Sequence, residues 1–105
     1  MMSREYNKLV RDRIPEIIQA AGKRCIVEVL SDQEYLYFLD QKLNEELAEY
    51  QESKSLEELA DLLEVMRAVV KARGWSWEEL ERLYTDKAEK RGTFDKRLLL
   101  RGVQE

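Results

Sequence analysis

Two pairs of acidic residues in the middle of the chain have the spacing of a metal site. Glu46 and Glu49 lie three positions apart, and Glu58 and Asp61 repeat that spacing after a short polar break. Side chains three positions apart on a helix are neighbours, about 5–6 Å from each other at Cβ. Each pair therefore predicts two carboxylates on one helical face. Sites that offer only oxygen ligands favour hard cations such as Mg²⁺, Mn²⁺ or Ca²⁺.

The placement of the two pairs along the chain predicts that they meet. Glu46 and Asp61 are equally far from a midpoint at positions 53–54, and so are Glu49 and Glu58. In an antiparallel helical hairpin that turns there, Glu49 faces Glu58 and Glu46 faces Asp61. Four carboxylates this close repel one another unless protons or cations neutralise them. The pattern thus predicts a metal site with these four residues as ligands.

Spacing alone leaves a second interpretation open, in which the four acids are solvated surface residues. Acidic residues near a helix start are favoured by the helix dipole, and Glu58 also fits as the capping-box partner of Ser55. However, the four acids border the apolar stripes of their helices, whereas Glu45 and Glu52 face outward. This position beside the apolar residues favours the metal site.

The composition excludes several other kinds of chemistry. Cys25 is the single cysteine, which excludes an internal disulfide and a thiolate zinc cluster. There is no histidine among the 105 residues, which excludes His-ligated zinc and nucleophiles activated by histidine. No apolar run approaches the roughly 18 residues that span a bilayer, and the basic start lacks the hydrophobic stretch of a signal peptide. We therefore expect a cytoplasmic protein that does not bind membranes.

Charge is distributed unevenly along the chain. Residues 28–64 hold twelve acids against two lysines, a net of −10, whereas residues 1–24 and residues 85–101 each hold six bases against three acids, a net of +3. An acidic middle between basic flanks does not match the continuous basic surface of a nucleic-acid-binding protein. It suits a site that holds divalent cations and a polyphosphate together.

Helix-start and helix-stop residues predict one short helix and three long ones. Pro15 suits the first turn of the short helix, which Gly22 ends. Serines with a glutamate three positions later begin the long helices, and Gly74 and Gly92 follow the last two. The long helices are predicted near 32–52, 56–73 and 77–91.

The remaining segments and the size of the chain complete the predicted architecture. Residues 1–13 are expected to form a basic extended arm, and residues 23–30 either a short extended piece or a loop. The helix at 56–73 is apolar on more than one face, which is typical of a central or shared helix. We therefore predict an all-α helical bundle with one domain, 1–105, completed by a homodimer or homotetramer.

The motifs together resemble a known superfamily. EExxE at 45–49 followed by ExxD at 58–61 resembles the MazG-like all-α nucleoside triphosphate pyrophosphohydrolases, which include phosphoribosyl-ATP pyrophosphohydrolase. The segment NKLVRDRIP at 7–15 is similar to the start of a compact subgroup predicted to be house-cleaning enzymes. The segment from Lys87 to Phe94, with Arg91 and Gly92, is similar to the basic motif that follows their third long helix. The resemblance covers nearly the whole chain.

The resemblance implies an activity and a role for each motif. It implies Mg²⁺-dependent hydrolysis of the α–β phosphoanhydride of a nucleotide, giving a monophosphate and pyrophosphate, with Mn²⁺ as another possible cofactor. It assigns Glu46, Glu49, Glu58 and Asp61 as metal ligands at the catalytic centre, and Glu45 as a catalytic residue that either supports these ligands or orients water beside them. Some relatives have asparagine next to the helix lysine, where this chain has Asp86.

Basic residues near both ends of the chain are candidates for binding the substrate phosphates. Those on the last helix either neutralise phosphate charge or only complement the helix C-terminus. Those on the N-terminal arm either reach the same phosphates, from the same or a neighbouring subunit, or lie on the surface. The candidates are Lys87, Lys90 and Arg91 on the helix, and Lys8, Arg11 and Arg13 on the arm.

Two alternatives to the enzyme remain open at the level of sequence. A non-catalytic helical interaction or regulatory dimer would explain the leucine-rich helices equally well, with the acids solvated. A helical bundle that binds a metal ion without hydrolysing a nucleotide would explain the acids. Magnesium-dependent release of pyrophosphate distinguishes the enzyme from both.

Overall fold

The computed structural model describes residues 7–105, and this part of the chain consists of α-helices joined by irregular segments, with no β-strand. The all-α prediction is therefore confirmed, and the predicted bounds of the three long helices are correct to within one residue. Residues 1–6 of the predicted basic arm lie outside the described part. The four helices are α1 Ile14–Ala20, α2 Asp32–Ser53, α3 Leu56–Ala72 and α4 Trp77–Arg91.

The predicted serine caps begin the three long helices. Ser31 and Glu34 form a complete capping box, in which each side chain accepts a hydrogen bond from the other residue's backbone N–H. The Ser55 and Ser76 hydroxyls accept from the backbone N–H three positions later. Such caps satisfy N–H groups that have no partner within the helix and stabilise it by about 1 kcal/mol each.

Helices α2 and α3 form the predicted antiparallel hairpin, the most extensive helix–helix contact in the described chain. Lys54 lies in the left-handed region, with φ of 56°, and its N–H donates to the Tyr50 carbonyl oxygen at 2.7 Å. This reverses the chain in two residues, because a helix can end at a single left-handed residue. The hairpin brings residues 46–49 of α2 opposite residues 58–61 of α3.

Helix α3 ends at the predicted glycine. Gly74 has φ of +90°, the Gly74 N–H donates to the Lys71 oxygen at 3.0 Å, and the Trp75 N–H donates to the Val70 oxygen at 3.0 Å. These two bonds define a Schellman motif, which requires a left-handed residue that glycine adopts without a Cβ clash. The chain then turns into α4, which contacts α3 sparsely.

The segments outside the hairpin are largely exposed. Residues 23–30 form a loop, the second of the two predicted possibilities, and Ile26, Val27 and Val29 are exposed in it. The apolar residues of the C-terminal segment, Phe94 and Leu98 to Leu100, are also exposed. In a single chain these apolar side chains have no interior to enter.

The buried core of the described chain is small. Leu39 and Val65 are the buried hydrophobic residues, whereas Leu59 and Leu63, which the helical periodicity predicts as core, are about half exposed. The periodicity therefore identified the apolar face of α3 but not what packs against it, because α2 covers only part of this face. None of the described helices is long and apolar enough to cross a membrane.

Candidate metal centre

Glu46 is the buried acid of α2. It is 6% exposed, although a glutamate is rarely this buried without a charged partner. Lys42, one turn earlier on α2, places its Nζ 3.5 Å from Glu46 Oε1 and 3.7 Å from Glu45 Oε1. Glu46 Oε2 is also buried, and it has no hydrogen-bond partner among the described residues. One oxygen of this carboxylate is therefore available to a cation.

Glu58 and Asp61 come from the first two turns of α3. The Ser55 hydroxyl accepts a hydrogen bond from the Glu58 N–H at 3.4 Å. Unlike Glu34 at the start of α2, the Glu58 carboxylate does not accept one from the N–H of its capping serine. Glu58 Oε2 is instead buried and without a hydrogen-bond partner in the described part of the chain. Capping thus explains the backbone of Glu58, but its carboxylate is turned toward the hairpin interior.

The hairpin brings three of the four predicted ligands into one group. One carboxylate oxygen from each of Glu46, Glu58 and Asp61 lies within 4.8 Å of the other two. The exposed Glu49 is not part of this group, although it is close enough to contribute to the raised pKa of both Glu46 and Glu58. Two oxygens on opposite sides of one Mg²⁺ lie about 4 Å apart, so the three side chains fit such an ion after small movements.

The electrostatics of the group favour protons or cations. Burial raises the pKa of Glu46 above the ordinary 4.5, the neighbouring Glu49 carboxyl raises it further, and Lys42 opposes this shift. Burial and the charges of Glu49 and Asp61 likewise raise the pKa of Glu58. Both directions mean that the ionised carboxylates are destabilised where they lie, so a bound cation would relieve the repulsion.

The N-terminal segment supplies a second cation to this group. Arg11 Nη2 lies 2.7 Å from Asp61 Oδ1, an ion pair between residues fifty positions apart. Arg11 is also close enough to Glu64 to contribute to the lowering of its pKa, after the hydrogen bond from Arg67 to Glu64. Asp12 in turn contributes to the raised pKa of Arg67. The segment around Arg11 therefore lies along the middle of α3.

Four of the other predicted phosphate-binding residues form no ion pair with the grouped carboxylates in the described part of the chain: Arg13, Lys87, Lys90 and Arg91. Arg13 pairs with Glu16 at 3.1 Å, on α1. Lys87, Lys90 and Arg91 lie on exposed turns of α4, where no ion pair is recorded for them in residues 7–105. Their role as phosphate ligands stays a prediction, as does that of Lys8, which precedes α1.

Two features of the site were absent from the sequence prediction. Lys42 was not identified, although a lysine four positions before a glutamate on a helix is a recognisable ion-pair spacing. The pairing of Arg11 with Asp61 has no local signal, since nothing in the spacing connects the arm to α3. Asp86, which stands beside Lys87, is exposed on α4 and lies outside the carboxylate group.

Shallow depressions on the chain lie away from the carboxylates. One follows α4 beside Arg82 and Asp86. Another lies between α3 and α4, beside Trp75 and Trp77. The three grouped carboxylates on the hairpin are thus a candidate ion site outside these depressions, and a larger ligand held there would be enclosed by residues from outside the hairpin.

Comparison with known proteins gives one partial match and leaves the family open. No known family model matches the chain, and no solved structure matches it. The chain is similar to an uncharacterized protein of Mycolicibacterium smegmatis, with 57% identity over 42 residues. The match covers 40% of this chain and 43% of the length of that protein. It therefore establishes a related segment.

Proposed function

We propose that the chain is a Mg²⁺-dependent nucleotide pyrophosphohydrolase that cleaves an α–β phosphoanhydride to give a nucleoside monophosphate and pyrophosphate. The observation that supports this most is the convergence of Glu46, Glu58 and Asp61, with Glu46 Oε2 and Glu58 Oε2 buried and without a hydrogen-bond partner in the described residues. A solvated acidic face would leave its carboxylate oxygens exposed to water. The likeness of the EExxE and ExxD motifs to MazG-like enzymes indicates this reaction, and the likeness of residues 7–15 to the house-cleaning subgroup suggests non-canonical nucleotides as substrates.

Each acidic residue of the two motifs has a role in the proposed reaction. Glu46, Glu58 and Asp61 would hold the cation, and Glu49, beside two of them, would complete its ligands or accept a proton. A bound Mg²⁺ neutralises phosphate charge and lowers the pKa of a coordinated water. Glu45 is positioned through Lys42 next to Glu46, where it would orient water. Cleavage of a phosphoanhydride depends mostly on such positioning and charge neutralisation.

The proposed enzyme is a homodimer or homotetramer. The radius of gyration is 18.7 Å, whereas a compact domain of this length has about 13 Å. The accessible surface is 10339 Å², against about 6,200 Å² for a folded monomer of this mass. Each chain thus exposes about 4,000 Å² more than expected, and an obligate dimer interface buries about 1,000–2,500 Å² of each partner, so partner copies have ample surface to cover. A second copy would cover Leu59 and Leu63 on α3, and would bring α4 bases near the carboxylates.

A direct test is a screen of canonical and modified nucleoside triphosphates with Mg²⁺, in which pyrophosphate and monophosphate are measured separately. We expect equal amounts of the two products and no release of single phosphates. Glu58→Gln should abolish turnover, whereas Glu52→Gln, an exposed acid of α2 outside both motifs, should retain it. Equal activity of the two variants would contradict the proposed site. Phosphoribosyl-ATP belongs in the screen as an alternative substrate of the same reaction type.

A second candidate function is a non-catalytic helical interaction module. The many exposed large apolar side chains of α3, α4 and the C-terminal segment favour it, because extensive exposed apolar surface is typical of interaction sites. In that case the protein would oligomerise, and the screen would yield no pyrophosphate with any nucleotide. Metal binding without turnover would instead support a metal-binding bundle.

A further inference from the structure

The ion pair of Arg11 with Asp61 involves the same carboxylate that groups with Glu46 and Glu58. Asp61 Oδ1 lies 2.7 Å from Arg11 Nη2, and the two side chains are 42% and 57% exposed. The pair joins the loop before α1 to the second turn of α3. Asp61 therefore faces both the guanidinium and its fellow carboxylates.

A guanidinium and a metal ion compete for such a carboxylate. Arginine keeps its charge at all ordinary pH values and donates to carboxylate lone pairs, and those lone pairs are also what a divalent cation requires. Two cations on one carboxylate also repel each other. Arg11 is half exposed and belongs to an irregular segment rather than to a helix, so its side chain can leave Asp61 without unfolding a helix.

We propose that Arg11 is the internal counter-ion of the metal centre: it neutralises Asp61 in the metal-free protein and is displaced when a divalent cation binds. The displaced guanidinium remains beside the cation and pairs with a phosphate group of the substrate, which a planar fork binds with two hydrogen bonds. This second step rests on the proposed function, whereas the first concerns metal binding alone. Arg11 is thus a residue whose partner changes during binding.

The first step is tested by calorimetric titration of the metal-free protein with Mn²⁺ alone. Arg11→Gln should tighten Mn²⁺ binding about two- to fivefold, because a half-exposed ion pair opposes binding only modestly. The difference should shrink at high salt, which screens exposed charges. A matched control is Arg73→Gln, which breaks the pair of Arg73 with Asp40 at 3.3 Å, with 41% and 52% exposure. This control should leave Mn²⁺ affinity unchanged.

If Arg11→Gln folds like the wild type by circular dichroism but binds Mn²⁺ no more tightly, Arg11 does not compete with the cation for Asp61 and the proposal is overturned. Weaker binding would mean that Arg11 only holds Asp61 in place. This result is independent of turnover: a wild-type protein without pyrophosphohydrolase activity, together with tighter Mn²⁺ binding by Arg11→Gln, overturns the proposed function and supports the competition.

The second step is tested by hydrolysis of the best substrate at saturating Mg²⁺. Arg11→Gln should raise KM about tenfold or more, with a smaller effect on kcat. Arg11→Lys should recover part of the loss, because it keeps the charge but not the paired geometry. A KM unchanged in Arg11→Gln would overturn the phosphate contact while leaving the Mn²⁺ result to decide the first step.

Discussion

The charge of Glu46 should destabilise the metal-free protein, and Glu46→Gln should therefore raise its melting temperature. The substitution keeps the shape of the side chain and removes its charge. Glu46 is 6% exposed, its Oε2 has no hydrogen-bond partner among the described residues, and Glu49 is its neighbour. The single opposing interaction on α2 is with Lys42, whose Nζ is 3.5 Å from Glu46 Oε1.

The size of this effect follows from the two contributions. Replacing the buried carboxylate by a neutral amide, which can donate to Glu49, removes about 1–3 kcal/mol of desolvation and like-charge repulsion. The Lys42 pair, which the substitution removes, contributes about 0–1 kcal/mol. The net gain in the free energy of unfolding is about 1 kcal/mol, which raises the melting temperature by about 4–8 °C for a chain of this size. Mg²⁺ at tenfold its dissociation constant should stabilise the wild type by about 1.4 kcal/mol, but should have little effect on the variant.

Thermal unfolding followed by circular dichroism, at fixed protein concentration, measures both effects. The wild type, Glu46→Gln and Glu52→Gln are compared in a chelator and in increasing Mg²⁺. Glu52→Gln should resemble the wild type throughout, because Glu52 is exposed on the same helix. A lower melting temperature for metal-free Glu46→Gln, or an undiminished Mg²⁺ response, would refute the assignment of Glu46 as a buried ligand.

Three further predictions concern pH, assembly and the end of α3. The folded-state pKa values of Glu46 and Glu58 are raised above 4.5, so the stability gained from protonating them is complete below pH 4.5 and is lost as pH rises through the raised values. The melting temperature of the metal-free wild type, relative to that of Glu46→Gln, should therefore fall over that range. Mg²⁺ should reduce this fall. Light scattering at micromolar concentration should give a dimer or tetramer, and a monomer would contradict the assembly. Gly74→Ala should lower the free energy of unfolding by about 1 kcal/mol in denaturant titration, because Gly74 has φ of +90°; no loss would contradict the Schellman end.

The sequence alone determined the helices and the pairing of the hairpin. Serine caps and glycine ends are local signals, since each depends on hydrogen bonds within a few residues. The convergence of Glu46 with Asp61 was also available from the sequence, because two helices joined by a two-residue turn must run antiparallel. Symmetric placement about the turn then fixes which residues face each other.

Tertiary structure decided what each of these carboxylates contacts. The spacing of Ser55 and Glu58 predicts a complete capping box, but the Glu58 carboxylate turns into the hairpin, where burial, Glu49 and Asp61 raise its pKa. Glu49 lies outside the group of three carboxylates, although it follows Glu46 by three positions just as Asp61 follows Glu58. Helical spacing gives the face of a side chain but not its rotamer, and the rotamer decides which oxygens meet.

The position of the N-terminal segment was likewise decided only in three dimensions. Arg11 reaches Asp61 across fifty positions of sequence, and such a contact depends on the path of the loop before α1 and the loop after it. The half-exposed leucines of α3 show the same limit, because periodicity marks an apolar face but not what covers it. Local hydrogen bonding is specified by neighbouring residues, whereas contacts between distant segments depend on the packing of the whole chain and of its partners.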